Sequence, residues 1–201
     1  MEVTKTTRLE AVNTLLQTIG LAPINSLSGN KTADVIRAES VVDEVNREVQ
    51  MMGWYFNTEE GYTLNITQSG EIPLPGNIMR IDYDHKRNRG IEPVIRGSRL
   101  YDKKNHTYKF NKSIKVTAVV AVPFEELPES ARRYITIRGS RIYGDRMVGS
   151  ESLNAFSRND ELQAWVSLRE WEGDVADYNI FDSPDMAEHH LRGRHLPRGN
   201  T

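Results

Sequence analysis

The spacing of apolar residues changes twice along this chain, and this change limits the fold more than any other feature. Close to both ends, apolar side chains recur every three or four residues, which is the period of a helix with one buried face. In the middle they alternate with polar side chains, as in half-buried strands. Helical ends around a strand-forming centre predict an α+β fold. The N- and C-terminal helices would form a four-helix bundle, with a small antiparallel β-sheet module inserted between them.

These changes of period divide the 201 residues into four parts. The first part of the helical bundle is 1–54, the antiparallel β module is 55–123, the second part of the bundle is 124–181, and an extended tail is 182–201. Because the two helical parts would pack on each other, we expect the β module to project from the bundle.

The helix predictions rest on apolar stripes and on capping residues. The first helix is 9–19, with Gly20 at its C-terminal cap, and the second is 32–52. Gly139 lies on the stripe of a third helix, where a small residue would let another helix approach closely. The last helix is 151–176.

Two details of these predictions can be checked directly. In the last helix, Leu162 and Val166 are assigned to the buried stripe, and the capping residues at 159–160 leave open whether this is one helix or two. In the β module, residues 99–111 are predicted to form a hairpin that turns at 102–105, because those residues favour turns. Residues 114–122 give the strongest predicted strand, since β-branched side chains dominate there.

Composition excludes several classes of function. The chain has no cysteine, which excludes disulfides, thiolate metal sites and cysteine nucleophiles. No apolar run reaches the ~18–20 residues of a membrane span, and the N-terminus lacks the apolar stretch of a secretory signal. Phosphate-binding loops, nucleophile elbows and zinc-binding helix motifs are absent. We therefore expect no cofactor, no metal, no membrane insertion, and folding in the cytoplasm.

The net charge of −2 conceals two blocks of opposite sign. Residues 77–115 carry eleven basic and four acidic side chains, whereas 159–188 carry nine acidic and one basic. Such blocks either steer the assembly of neighbouring subunits or are simply solvated faces. The candidate interface residues are Arg87, Arg89, Lys103, Lys104, Lys109, Asp174, Asp177 and Asp182.

Two acidic residues offer an enzymatic alternative. Asp82 and Asp84 are two positions apart, so on a strand their side chains share a face at about 6–7 Å. That separation is close to the one that glycoside hydrolases use. If the chain is an enzyme, this pair would make it a glycoside hydrolase. The opposing interpretation is a turn in which these carboxylates pair with the basic residues that follow.

A second alternative is nucleic-acid binding. Aromatic residues, among them Tyr101 and Tyr108, lie between the lysines and arginines of the basic β region. Basic side chains can neutralise phosphates while aromatic rings stack on bases. The same tyrosines are equally well explained by packing within a sheet.

The segment after the second helix is predicted to join the bundle to the β module. Gly53 ends the second helix, and the large aromatic residues Trp54 and Phe56 follow at once. Aromatic side chains bury much apolar surface. We therefore expect these two rings to be buried where the bundle meets the sheet.

Several segments together resemble a known family. They are Ala-Val-Asn-Thr-Leu-Leu-Gln-Thr-Ile-Gly-x-x-Pro-x-x-x-Leu-x-Gly at 11–29, Gly-Trp-x-Phe-Asn-x-Glu-Glu-Gly at 53–61, Glu-Leu-Pro-Glu at 126–129, and Tyr-Asn-Ile-Phe-Asp at 178–182. At this spacing the chain resembles tail tubular protein A of short-tailed bacteriophages. The β region at 77–115 is the least similar part.

The resemblance implies a structural virion protein and carries over no catalytic residue. With it, the enzymatic alternative becomes a tail-associated hydrolase of bacterial polysaccharide that uses the Asp82 and Asp84 pair. Members of the family act as the head-to-tail adaptor, or gatekeeper. The expected partners are further copies of the chain in a twelve-membered ring, the portal protein, the tail nozzle protein (tail tubular protein B), and the double-stranded DNA that passes through. The expected location is the virion tail, after synthesis and assembly in the cytoplasm of the host bacterium.

Overall fold

The computed structural model describes residues 4–84, 90–149 and 151–180, and in the last range it describes side chains for 158–175. The regular elements are α1 (Arg8–Thr18), α2 (Ala33–Met51), β1 (Thr58–Leu64), β2 (Ile78–Asp82), β3 (Pro93–Arg96), β4 (Arg99–Asp102), β5 (Ile114–Val120), α3 (Glu129–Met147) and α4 (Glu151–Ile180). Helices at both ends with antiparallel strands between them confirm the α+β fold.

The ends of α1 follow from local hydrogen bonding. Thr7 caps the N-terminus: its hydroxyl accepts from the Glu10 backbone N–H, and the Glu10 carboxylate accepts from the Thr7 backbone N–H. Beyond the C-terminus, Gly20 has φ +79° and donates to the Gln17 carbonyl, while Leu21 donates to the Leu16 carbonyl. This pair of bonds is the Schellman arrangement, which favours glycine at the left-handed position.

The central helix of the helical part is α3, because α1, α2 and α4 all pack against it. Gly139 makes the approach of α1 and α2 possible, as predicted. A Cβ atom at Gly139 would already lie 3.6 Å from a methyl carbon of Leu15 and 3.9 Å from Val41. Side chains larger than alanine would therefore push the three helices apart.

The β region forms a second apolar core with two small sheets. The larger sheet has the order β1-β5-β2, with β5 paired antiparallel to both neighbours. Alternate residues of β5 point into this core, including Ile114, Val116 and Ala118. The strongest strand predicted from the sequence is thus the central strand of the sheet.

The predicted hairpin is only partly correct, because a turn forms at 103–106 but the second arm is not a strand. Strand β4 pairs with β3 through a two-residue turn at Gly97 and Ser98, and the second predicted arm contributes only an isolated bridge between Asp102 and Thr107. Gly97 has φ +65°, as the first residue of a type II′ turn requires. Two turn-forming segments therefore lie close together in this part of the chain. Only the one at Gly97 and Ser98 joins two strands.

The last helix resolves a question that the sequence leaves open, and it corrects one prediction. It continues through 159–160 without a break and is described as far as Ile180. Leu162 and Val166, predicted to be buried, are 60% and 44% exposed. The buried side of α4 contains Ala164 and Leu168. The predicted tail at 182–201 lies outside the described residues.

Candidate interaction surfaces

An aromatic cluster joins α2, β1 and α4. Trp54 is 3% exposed, and its indole N–H donates to the Val49 carbonyl at 2.6 Å. Its ring stacks on Phe56 at 6.5 Å between centroids and meets the edge of Trp165 at 5.5 Å. Phe56 is half-buried and contacts Trp171 at 6.1 Å. Both partner tryptophans belong to α4, and sequence reasoning did not identify them as partners.

Gly53 lets the chain turn sharply into this cluster. Its φ of +78° is in the left-handed region, and a Cβ atom there would lie 2.6 Å from the Arg80 guanidinium and 3.0 Å from Val119. Asn57 then secures the turn, because its side chain accepts from the Trp54 backbone N–H and donates to the carbonyls of Gln50 and Val120. Glycine is thus required at the position where the sequence predicted the junction.

A network of charges holds α4 on α3. Arg138 donates to Glu161 at 2.8 Å and to Glu48 of α2 at 3.0 Å, and Arg141 donates to Glu161 and to Asp145. Burial raises the pKa of the Glu161 carboxyl, but hydrogen bonds from Arg141 and Arg138 outweigh it and hold that pKa below its usual value. The ionised carboxylate therefore stabilises the α3–α4 contact.

This network predicts a pH-dependent loss of stability. Because the pKa of Glu161 is lower in the folded state than in the unfolded state, its contribution is present above pH ~4.3 and is lost as the pH falls through the folded-state pKa. We expect Glu161→Gln to lower the free energy of unfolding by about 2 kcal/mol at pH 7. The difference from the parent should shrink towards zero in acid.

Urea unfolding followed by tryptophan fluorescence between pH 7 and pH 3 measures this effect. Glu170→Gln is the matched control, since Glu170 is on the same helix but exposed. A deficit in Glu161→Gln that does not change with pH would contradict the assignment.

A groove of about 520 Å³ lies between α3 and α4 beside this network. It is lined by Tyr134, Arg141, Arg158, Glu161, Leu162 and Trp165. Within the described residues, no group of three or more histidine, aspartate or glutamate side chains could hold a metal ion. None of the helices described is long and apolar enough to cross a membrane.

The β3–β4 hairpin and the segment that follows it carry arginines and tyrosines on one surface, which we call the Arg–Tyr face: Arg96, Arg99, Tyr101 and Tyr108. The Arg96 guanidinium lies 3.7 Å from the centre of the Tyr101 ring, and that of Arg99 lies 4.0 Å from the Tyr108 ring. The two rings meet edge to face at 4.8 Å. Arg99 also pairs with Glu71 at 2.6 Å. Cation–π contacts of this kind hold the guanidinium groups in place at the surface.

The loop after β4 is held by one buried carboxylate. Asp102 accepts hydrogen bonds from the backbone N–H groups of Glu92, Lys104 and Asn105. Burial raises the pKa of Asp102, but these bonds and that of the Asn105 amide outweigh it and lower the pKa. The predicted interface residue Lys103 is exposed and pairs with Glu92 at 3.2 Å. The fixed loop thus presents its lysines beside the Arg–Tyr face.

The exposed side of α4 forms a second surface, which we call the α4 outer face. Its apolar row consists of Leu162 and Val166, one helical turn apart. A neighbouring row carries Asp160, Glu170 and Asp174, all of them exposed. Three-and-four spacing keeps each row on one side of the helix. The outward half of α4 therefore combines apolar and acidic chemistry.

The remaining candidate residues are placed as follows. Asp82 and Asp84 are both exposed, and the Tyr83 side chain between them is buried. The two aspartates lie outside the lining of the α3–α4 groove, and the glycoside-hydrolase hypothesis stays an untested prediction. Lys104 and Lys109 are exposed on the basic side of the module. Arg87, Arg89 and Asp182 lie outside the described residues, and so does the side chain of Asp177.

Comparison with known proteins adds the family. Residues 9–178, which include parts of α1 and α4 and everything between them, match the model of a family described as tail tubular protein. The chain belongs to the tail tubular protein family. It is also similar to tail tubular protein A of Klebsiella phage KP34, with 24% identity over 164 residues, which cover 81% of this chain and 85% of that protein. The resemblance drawn from the sequence motifs is thereby confirmed.

Membership in the tail tubular family fixes the broad function. The chain is a structural protein of a bacteriophage tail. The predicted location in the virion tail is thereby confirmed. The surfaces described above are therefore best considered as contacts with other components of a tail.

Proposed function

We propose that this tail tubular protein is a subunit of the ring-shaped adaptor that joins the portal to the tail nozzle. In this role twelve copies enclose part of the channel through which double-stranded DNA leaves the capsid. The portal protein lies on one side of the ring, and tail tubular protein B, the nozzle protein, lies on the other. Assembly takes place in the cytoplasm of the host bacterium.

One observation carries the proposal: the chain exposes two chemically unlike surfaces on different elements. The Arg–Tyr face is basic and aromatic, whereas the α4 outer face is apolar and acidic. A closed ring uses heterologous contacts, in which one surface of a subunit meets a different surface of the next. Two unlike surfaces on one chain suit this geometry, and a two-fold dimer would instead use one self-complementary surface.

The assembly behaviour tests this function. The free chain should be mainly monomeric at micromolar concentration, because its exposed apolar rows are short and its outer surfaces are charged. Mixed with the portal protein of the same phage, it should form a complex with twelve copies per portal. Sedimentation velocity measures the free chain, and native mass spectrometry measures the complex.

Either part of this prediction can fail separately. A stable ring of the free chain would contradict the need for a template. No complex with the portal, under conditions where the chain stays folded, would contradict the adaptor function itself.

A further inference from the structure

We propose that the Arg–Tyr face of one copy docks on the α4 outer face of the next copy, so that these two surfaces form the contact between adjacent subunits. The inference rests on the proposed ring and goes beyond it, because it assigns the two sides of the contact to particular side chains. The occupant of the exposed face of α4 is thus a second copy of this chain.

The first argument is that α4 leaves an apolar row uncovered. Its inward side is already occupied by α3 and the aromatic cluster, through Ala164, Trp165 and Leu168. Leu162, at the rim of the α3–α4 groove, and Val166 lie outside this contact, at 60% and 44% exposure. A helix that has one face buried in its own fold and carries a second apolar row is suited to an additional contact.

The second argument is the chemistry of the hairpin. Arginine and tyrosine are enriched in the buried centres of protein interfaces, where their planar groups give large contact area. Tyr101 and Tyr108 are half-buried, so each ring keeps an accessible part. Arg96 and Arg99 are held against those rings before any partner arrives. Groups held in this way lose less conformational entropy when they bind.

The third argument is charge complementarity. Residues 91–112 carry six basic and two acidic side chains, while 158–175 carry two basic and five acidic. Within the part of the chain that the structure describes, Arg96, Lys109, Glu170 and Asp174 have no ion-pair partner. Opposite charges left unpaired within a subunit can pair between subunits and set the register of the contact.

The apolar row decides between a protein partner and DNA. The phosphate backbone of DNA would bind the basic residues of the hairpin, but it would leave the apolar side chains of Leu162 and Val166 on α4 exposed. A second copy uses both surfaces at once: tyrosine rings can cover the apolar row while arginines and lysines meet the acidic row. Binding of DNA to the hairpin is therefore an outcome that the test must be able to detect.

The absence of cysteine makes a crosslinking test specific. Ser98→Cys places a single thiol at the exposed turn beside the Arg–Tyr face, and Gln163→Cys places one on the α4 outer face. The two full-length variants are mixed at high concentration, with one of them labelled with ¹⁵N, and treated with a short bismaleimide. Mass spectrometry then separates mixed dimers from dimers of either variant alone.

Mixed dimers of Ser98→Cys with Gln163→Cys should form at least about tenfold faster than either like pair, in keeping with the rate gain from complementary charge. Their yield should fall between 0.1 M and 1 M salt, as the Debye length shrinks from ~10 Å to ~3 Å. The matched control replaces Gln163→Cys with Glu60→Cys, an exposed position on β1. That pair should stay at background.

Charge reversal adds a rescue experiment. Arg96→Glu with Lys109→Glu, introduced into the hairpin variant, should slow crosslinking about tenfold. Glu170→Lys with Asp174→Lys, introduced into the α4 variant, should do the same. Mixing the two reversed proteins should restore the rate, because the signs again match. A merely destabilising effect would not be rescued in this way.

The results that overturn the inference are distinct from those that overturn the adaptor function. If twelve-copy complexes form on the portal while the Ser98–Gln163 pair stays at background, the ring stands and this assignment of its contact is wrong. If double-stranded DNA abolishes the crosslink and binds the parent chain but not Arg96→Glu with Lys109→Glu, the hairpin binds DNA and the second copy is the wrong occupant. Failure of the charge rescue also overturns the proposed register.

Discussion

Replacing Trp54 with alanine should remove a large part of the stability of this protein. Truncating a buried aromatic side chain costs about 3–5 kcal/mol, compared with a total of about 5–15 kcal/mol for a typical domain. Trp54 is also the ring on which α2, β1 and α4 meet, through Phe56 and Trp165. We therefore expect a lower midpoint in urea and weakened packing of α4. Chemical denaturation followed by circular dichroism measures the loss.

Two variants separate the contributions to this effect. Trp54→Phe keeps a ring but loses the donor to the Val49 carbonyl, and it should cost about 1–3 kcal/mol. Tyr55→Ala alters the neighbouring aromatic residue, which is exposed, and should change stability by no more than about 0.5 kcal/mol. If Trp54→Ala and Tyr55→Ala unfold alike, the aromatic cluster does not join the helices to the sheet.

A double-mutant cycle examines the link to α4. Trp54→Ala and Trp165→Ala should be non-additive, with a coupling of about 0.5–1.5 kcal/mol for a well-oriented aromatic pair. The coupling matters for assembly, because it holds α4 in place and thereby positions the outer face that carries Leu162 and Val166. Additive losses would mean that the two rings stabilise separate parts of the fold.

Helices α1 and α2 could be predicted from the sequence because each has a single apolar stripe and local capping signals. Thr7, Gly20 and Gly53 act on their own neighbours, so their effects are visible without knowledge of the fold. The pairing of the strands was harder to predict from the sequence. Gly97 with Ser98 and the segment 102–105 are both good turns, and only long-range packing decides which of them joins two strands.

The charge of the two interaction surfaces could be predicted from the sequence, but the arrangement of their side chains could not. The composition shows the basic and acidic blocks. The stacking of Arg96 on Tyr101 depends on the pairing of β3 with β4, which the sequence does not predict. The error on Leu162 and Val166 has a similar origin. Periodicity identifies a residue as lying on an apolar side of a helix, but α4 has two such sides, and the sequence does not say which one its own fold covers.

The second large effect is expected at Arg132, which anchors the N-terminal segment to the start of α3. Arg132 is 4% exposed. Its guanidinium donates to the carbonyls of Leu127 at 2.9 Å, Thr6 at 2.7 Å and Glu125. Glu129 adds a bond from the other side, since its carboxylate accepts from the Thr6 backbone N–H at 2.8 Å. The charge is thus compensated by carbonyl oxygens on two separate segments of chain.

Arg132→Met keeps most of the volume but leaves these acceptors unpaired, at about 1–3 kcal/mol for each one that stays buried. We expect a total loss of about 3–5 kcal/mol in urea unfolding, of the size seen when one partner of a buried charged contact is removed. Arg132→Lys should recover only part of this loss, because one ammonium group cannot donate to all three carbonyls as the planar guanidinium does.

Arg133→Met is the control. This arginine occupies the exposed neighbouring position, and its replacement should leave the free energy of unfolding within about 0.5 kcal/mol of the parent. Equal losses at positions 132 and 133 would show that α3 does not depend on this anchor.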